Sequence, residues 1–459
     1  MDDRYDIIVL GATGFTGGYI VRALASSPMF KDKSIAVAGR NKMKLRSVLD
    51  EIGKDGIPAV SCYPVIIADT SDEESLARMA KQAKVVINAV GPFRLHGEPI
   101  VRASVENGAS YIDVSGEPAF LEKMEMKFKE QARKNGVYVV GACGFDSIPS
   151  DLGIDYLKRN FEGTLGYVEA FLSNNFGPSG YSFSTTSYDT LMLGFSSVDD
   201  DNLGTYCNPS SQLRRMHSSI GEMRRTIMPD RLPATKHTVP KRSLDLSKSM
   251  RAKFSCRRML WKLDEEQLKG WVLPFPGADK SVVQRSQYYD YHVNGKKPVQ
   301  MEAYFVLGSL SNALLLTGWM GMFVGLSSFE WTKKQLLNYP EQFSFNMFKK
   351  SGPTKQQMEE SFFEYFFYGR GWEKGENVDE ENPSKRALMI CRGPDLGYIG
   401  TSGCVASSAL ALLDDREKLP KQGGVYTTAS AFRDTRIFDY LKTFGITFEM
   451  VNQMEKSKL

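Results

Sequence analysis

The chain is expected to fold as α/β: a doubly wound parallel sheet in its first third, followed by an α+β domain with a mainly antiparallel sheet. Three observations predict this. Short apolar runs alternate with helical stretches across the first 150 residues, a glycine-rich turn links the first run to the first helix, and a fresh set of strands begins at Tyr167.

The elements follow in order. Tyr5–Leu10 is the first strand, and Tyr19–Ala25 is helical. Ser34–Gly39, Pro64–Ala68, Lys84–Val90, Ser110–Val114 and Gly136–Gly141 read as five further strands. Helical segments lie between them, including Asp72–Ala83, Pro99–Asn107 and Ala119–Asn135. Apolar strands at this spacing make a parallel sheet covered on both faces.

The turn after the first strand is Gly11-Ala12-Thr13-Gly14-Phe15-Thr16-Gly17. Gly11 permits the tight turn, Gly14 lets backbone N–H groups approach a pyrophosphate, and Gly17 lets the helix pack on the strand. Phosphates then sit at the positive end of the helix. This is a Rossmann-type dinucleotide site, with Gly11, Thr13, Gly14, Phe15, Thr16 and Gly17 as its binding residues.

The end of the second strand selects the cofactor. NAD-selective sites place a carboxylate there for the ribose 2′-OH, whereas this chain has Gly39-Arg40-Asn41-Lys42. Arg40 can hold a 2′-phosphate through charge-assisted bonds. NADP(H) is therefore expected, with NAD(H) as the open alternative in which Arg40 only stacks on adenine. Asp69, after the third strand, is placed to meet the adenine. Asn88, Gly91 and Pro92, at the end of the fourth, stand where the nicotinamide ribose belongs.

Composition narrows the class. A net charge of +4 does not call for nucleic acid, but it is unevenly spread: residues 214–262 carry 14 Lys/Arg against three acids, so the rest of the chain is acidic. The six cysteines, at 62, 143, 207, 256, 391 and 404, have no CxxC spacing, which suggests a reduced intracellular protein. The four histidines, at 96, 217, 237 and 292, show no metal-ligand spacing, so no metal site is expected. Residues 1–5 lead straight into a strand, so no signal or transit peptide is expected.

The reaction chemistry is less legible. No lysine has a tyrosine four positions earlier, which excludes the Tyr-x-x-x-Lys reductases. No Gly-x-Ser-x-Gly elbow occurs. Polar groups gather at later strand ends: Asp113, Ser115 and Glu117, then Cys143, Asp146 and Ser147. They read equally as turn and cap chemistry, with Ser147 before Ile148-Pro149 and Asp151 before a helix. No catalytic residue is assigned.

At these motifs the chain resembles the saccharopine dehydrogenase-like oxidoreductases. The likeness runs through the glycine loop, Asn88–Phe93, Tyr111–Glu117 and Gly144–Gly153. It continues in Gly397-Tyr398, Leu419–Thr427 and Gly445–Phe448. It points to the animal members associated with membranes and lipid droplets, with a more distant similarity to bacterial trans-acting enoyl reductases. It implies an oxidoreductase acting on a lipid-like or acyl substrate, but carries neither the substrate of the true saccharopine-forming enzymes nor a proven catalytic residue. It also implies that residues 395–459 return to the first domain, so that 1–150 bind the dinucleotide and 151–394 are inserted. Where relatives have a Gly-Thr pair before a helix, this chain has Thr186-Ser187.

In the second half, Tyr167–Leu172 reads as a strand, and Val282–His292, Asn294-Gly295 and Val299–Leu307 read as a β-hairpin. Residues 303–329 carry no charge, yet they begin in the hairpin strand and include Ser309, Ser311, Asn312, Thr317 and four glycines. Three readings stand: a span, a core segment, or a monotopic anchor. The third is favoured, because Leu314, Leu315, Leu316, Trp319, Met322, Phe323 and Val324 crowd one short stretch near the basic cluster Arg251–Arg258. The expected localisation is peripheral, on lipid droplets or cytoplasmic membranes, with a homodimer left open. A non-catalytic, cofactor-binding droplet protein is the alternative function.

Overall fold

The computed structural model describes residues 3–145, 147–195, 223–233, 241–242, 256–257, 260–275 and 277–451. Asp146, most of the basic stretch at 214–262 and the Arg251–Arg258 side chains fall outside them.

Six strands occur as expected: β1 Tyr5–Leu10, β2 Ile35–Gly39, β3 Val65–Ile67, β4 Ala83–Asn88, β5 Ser110–Asp113 and β6 Tyr138–Val140. A seventh, Gly424–Tyr426, pairs parallel with β6. Across the sheet the order is Gly424–Tyr426, β6, β5, β4, β1, β2, β3. All neighbours are parallel. The order reverses between β1 and β4, and the crevice beyond their carboxyl ends is the topological switch point.

Side-chain alternation along β1 feeds both faces. Ile7 and Val9 join α1 (Phe15–Ser26) and α2 (Lys42–Lys54), whereas Ile8 and Leu10 join α3 (Glu73–Lys81), α4 (Phe93–Glu106) and α5 (Pro118–Asn135). The helix Thr401–Asp414, rich in Ala and Ser, lies against α1, β4 and β5 and is almost wholly buried. In α4, Pro99 was the expected start. The helix begins a turn and a half earlier, because Pro92 and a buried acid (Glu117, below) supply its cap, and Pro99 sits inside it.

The second sheet also has seven strands, in the order Trp261–Asp264, Lys269–Pro274, Gln300–Leu307, β7 (Thr164–Asn175), Phe362–Trp372, Lys385–Pro394 and Thr447–Val451. Only the Gln300–Leu307 pair with β7 is parallel. The helix α6 (Ile148–Asn160) leads from the first sheet and packs on this one. Residues beyond 395 thus serve both sheets, Gly424–Tyr426 extending one and Thr447–Val451 the other.

The expected hairpin at Val282–Leu307 is corrected. Residues Asp279–Asn294 form a helix, and Gly295, at φ +64°, ends it in the left-handed region. An Asn-Gly pair serves a helix end as readily as a hairpin. Val282, Val283, Ser286, Gln287 and Asp290 are buried at helical spacing. Asp290 receives Lys158 Nζ at 2.7 Å and also pairs with Arg433, which reaches Asp155 on α6. A neighbouring latch is Asp151, whose Oδ2 accepts from Ser286 Oγ at 2.7 Å, Thr428 Oγ1 at 2.8 Å and Ala429 N at 2.7 Å.

The uncharged run divides into two elements. The strand stops at Leu307, and Ser309 Oγ accepts from Asn312 N at 3.1 Å to start the helix Leu310–Ser327. That helix packs on the helix Thr185–Phe195 through a small cluster of Tyr188, Met192, Trp319, Phe323, Leu336 and Phe348. Of the seven apolar residues expected to insert together, Trp319 and Phe323 are therefore core, and Trp319 Nε1 donates to Phe343 O at 2.9 Å. A helix apolar all round carries no periodic signal to say which face turns inward.

Candidate functional site

The crevice lies between loops at the carboxyl edge of the parallel sheet and a wall from the second half of the chain. In the first, Gly11 adopts φ +89°. A Cβ on Gly17 would lie 2.1 Å from Gly11 O, so only glycine lets α1 approach the loop this closely. Gly14 stands at the N-cap with no side-chain cap bond, and the first helical bond is Gly18 N to Gly14 O at 2.9 Å. The N–H groups of Phe15, Thr16 and Gly17 precede that bond and form an anion-binding end. No acid lies in the first turn.

Arg40 is exposed after β2, while Asn41 caps α2 by accepting Lys44 N at 3.0 Å. Across the crevice, Asp69 Oδ1 accepts from Ser71 N at 2.9 Å and Ser71 Oγ at 2.8 Å. These bonds hold its carboxyl below the usual aspartate range, helped by the charges of Arg40 and His96. Arg40, Asp69 and His96 thus share one rim.

The second loop follows β4. Asn88 is fully buried: its Oδ1 accepts Val90 N at 2.9 Å and its Nδ2 donates to Tyr111 Oη at 2.9 Å. Val90 lies against Gly11, and Pro92 is the N-cap of α4. Glu117 reaches back from beyond β5 and closes this helix end, its two oxygens accepting Phe93 N at 2.8 Å and Arg94 N at 3.0 Å. Burial raises the Glu117 carboxyl, and these two bonds oppose the rise.

Most of the other strand-end groups bond to the framework, although Asp113 Oδ2 and Ser147 Oγ are buried without a partner among the described residues. Asp113 is buried, and its Oδ1 accepts Ser115 N and Ala142 N, each at 2.9 Å. Burial pushes its carboxyl up to about 6. Ser115 Oγ accepts Glu117 N at 3.2 Å, and Cys143 Sγ donates to Val140 O at 3.3 Å. Cys143 is fully buried, and burial carries its thiol well above its ordinary value, which disfavours the thiolate. Ser147 stands buried at the N-cap of α6 without a side-chain cap bond.

The third wall comes from the second half of the chain, where the sequence flags Thr186-Ser187 and, within the family likeness, Gly397-Tyr398, but assigns neither a place in the site. Phe15 of the glycine loop meets the Tyr398 ring at 4.5 Å between centroids. Tyr398 Oη accepts Ser184 N at 2.8 Å. The helix Thr185–Phe195 starts here, its Thr186 and Ser187 exposed, and Thr186 Cγ2 lies 3.6 Å from where a Cβ on Gly91 would stand.

A doubly wound sheet, a glycine turn and an uncapped helix end at the switch point define a dinucleotide-binding protein of the Rossmann class. Residues 7–140 match the family model for the saccharopine dehydrogenase NADP binding domain. The chain is 46% identical to a "Lipid droplet localized protein" of Caenorhabditis elegans, over 98% of this chain and 99% of that one. It is 37% identical to a human "Saccharopine dehydrogenase-like oxidoreductase", over 98% of each chain. A probable mitochondrial saccharopine dehydrogenase-like oxidoreductase of Arabidopsis thaliana is 31% identical, over 98% of this chain and 97% of that one. Among solved structures, apo saccharopine dehydrogenase (L-Glu forming) of Saccharomyces cerevisiae superposes with a TM-score of 0.52 at 13% identity, covering 97% and 99% of the two chains, a likeness of fold alone. The chain belongs to the saccharopine dehydrogenase-like oxidoreductase family and carries its NADP-binding domain.

Proposed function

We propose that this protein is an NADP(H)-dependent oxidoreductase acting on a lipid-like or acyl substrate at a lipid-droplet or membrane surface. Gly11, Thr13, Gly14, Phe15, Thr16 and Gly17 take the pyrophosphate. Arg40 takes the 2′-phosphate, Asp69 meets the adenosine, and Asn88, Gly91 and Pro92 frame the nicotinamide ribose. The open N-terminus of α1 and the bare backbone at Gly14 fit such a group. When bound, the nicotinamide supplies or accepts a hydride, and the protein's part is to orient it and exclude water. In this reading 1–150 and the returning 395–459 form the cofactor domain, and 151–394 face the substrate and the membrane.

One observation carries the lipid reading. The helix Leu310–Ser327 is long and apolar enough to cross a membrane by composition, yet only 17% of it is buried. Leu314 is 55% exposed and Leu315 72%, with Met322 and Val324 beside them and Phe329 and Trp331 just beyond. The second apolar helix, Leu396–Asp414, is 78% buried and belongs to the core. Because the first packs on Thr185–Phe195, the unit that meets lipid also walls the crevice. The worm relative's name, "Lipid droplet localized protein", supports a lipid-droplet location.

Flotation with liposomes tests this. Replacing Leu314, Leu315 and Met322 with Ser, which spares the buried Trp319 and Phe323, should release the protein while NADPH binding persists. Each exposed side chain contributes about 1.5–3 kcal/mol when buried in lipid. Unchanged flotation would remove the membrane reading. The alternative, a cofactor-binding protein without catalysis, draws support from the bonding of Asp113, Ser115, Glu117 and Cys143 into the framework.

A further inference from the structure

Reduction of a C=C or C=O bond adds a hydride to one atom and a proton to the other, and the strand-end carboxyls Asp113 and Glu117 are fully buried or nearly so and tied to backbone N–H groups through Asp113 Oδ1 and both Glu117 oxygens. Attention therefore moves to the wall facing them. Thr186 places the first turn of the helix Thr185–Phe195 against Gly91. Asp189 follows three residues later, one turn along and on the adjoining face. On the far side of the same helix, Tyr188 and Met192 are buried, with Tyr188 stacked edge-on to Phe323 and Phe348 at 5.4 Å each. Asp189 is thus half-buried between core and crevice, and it takes no hydrogen bond or ion pair from the described residues. An unpaired carboxyl in such a place needs a reason.

We propose that Asp189 is the proton donor of this site. Its O–H bond breaks as the new C–H or O–H bond forms on the substrate atom next to the one receiving hydride from the reduced nicotinamide. The carboxylate left behind recovers its proton from solvent. Burial raises the Asp189 carboxyl above its ordinary value, as an acid in this role requires. The elements packed against its helix bring Glu341 and Lys349, Tyr398 lies at the start of that helix, and the helix itself brings Tyr188; burial alone accounts for the rise.

The inference rests on the cofactor reading above, and its test needs no substrate. The oxidised nicotinamide ring is positive and the reduced ring is neutral, so ionised Asp189 favours NADP+ over NADPH. Calorimetric titration with both cofactors between about pH 4.5 and 7.5 should show NADP+ affinity rising with pH, relative to NADPH, by about three- to tenfold. In Asp189→Asn the ratio should stay flat at the wild-type low-pH value, while NADPH binds as before. Carboxyl titration in the wild-type protein, read by infrared difference spectroscopy, should show one group ionising at lower pH with NADP+ than with NADPH. A flat ratio in the wild type, or a sloping one in Asp189→Asn, overturns the assignment of Asp189. Failure of either cofactor to bind at all overturns the cofactor reading instead.

Discussion

Two helices begin at the same edge of the parallel sheet and treat their first turns in opposite ways. α4 begins behind Pro92, and a buried Glu117 from beyond β5 already occupies its first two N–H groups. α1 begins at Gly14 with no side chain to cap it. Both ends attract anions equally by their dipoles. The difference teaches that a helix end becomes a ligand site when the chain leaves it empty: Glu117 is the permanent anion of α4, and the uncapped end of α1 is where we propose that the cofactor's pyrophosphate binds.

Breaking the open end should have the largest effect. Gly14→Val puts a branched side chain where the pyrophosphate meets the backbone, and NADPH affinity should fall by more than about a hundredfold by calorimetry. Far-UV circular dichroism should not change, because Gly14 has an ordinary φ of −78°. Breaking the closed end comes next. Glu117→Ala leaves two N–H groups without an acceptor and should cost about 2–4 kcal/mol in urea unfolding, with Glu117→Gln recovering part of it. An equal loss of NADPH affinity in both the Gly14 and Glu117 variants, with stability untouched, would erase the distinction between the two ends.

Arg40→Glu sharpens the cofactor side. Loss of a bond to a charged group is about 1.5–3 kcal/mol, so NADPH should weaken by about tenfold to a hundredfold and NADH much less. The smallest effect concerns Asp113, which is buried like Glu117 but serves no helix end. Its native carboxyl, raised to about 6, keeps its proton where the unfolded one has lost it. Its contribution to stability is complete below the ordinary value of 3.8 and is lost as pH rises through about 6. Thermal melts of wild type and Asp113→Asn should therefore separate between about pH 4 and 6 by about 1–2 kcal/mol in the variant's favour, and run parallel above.

What could be read in advance follows the same divide between local and distant contacts. Tyr5–Leu10 and the glycine turn are contiguous, and their roles follow from backbone geometry that neighbouring residues dictate. The central strand Thr164–Asn175 pairs with residues near 300 and near 365, partners that no local pattern names. Asp279–Asn294 was misread because adjacent valines and an Asn-Gly pair suit two structures, and packing on α6 selected the helix. Glu117 sat in a recognisable motif, but its task depends on Phe93 and Arg94 across the crevice. Asp189 carried no signal at all, since only the fold brings its helix to Gly91.

The seventh strand of the parallel sheet has a consequence for biosynthesis. Gly424–Tyr426 covers the outer edge of β6, whose last residue, Val140, is made about 280 residues earlier. At roughly 5–20 residues per second, that edge is open for about 14–56 seconds while the ribosome completes the chain. Unpaired strand edges recruit other strands. A nascent chain arrested before residue 424 should accordingly be held by chaperones or aggregate, and one arrested well past residue 426 should be released soluble.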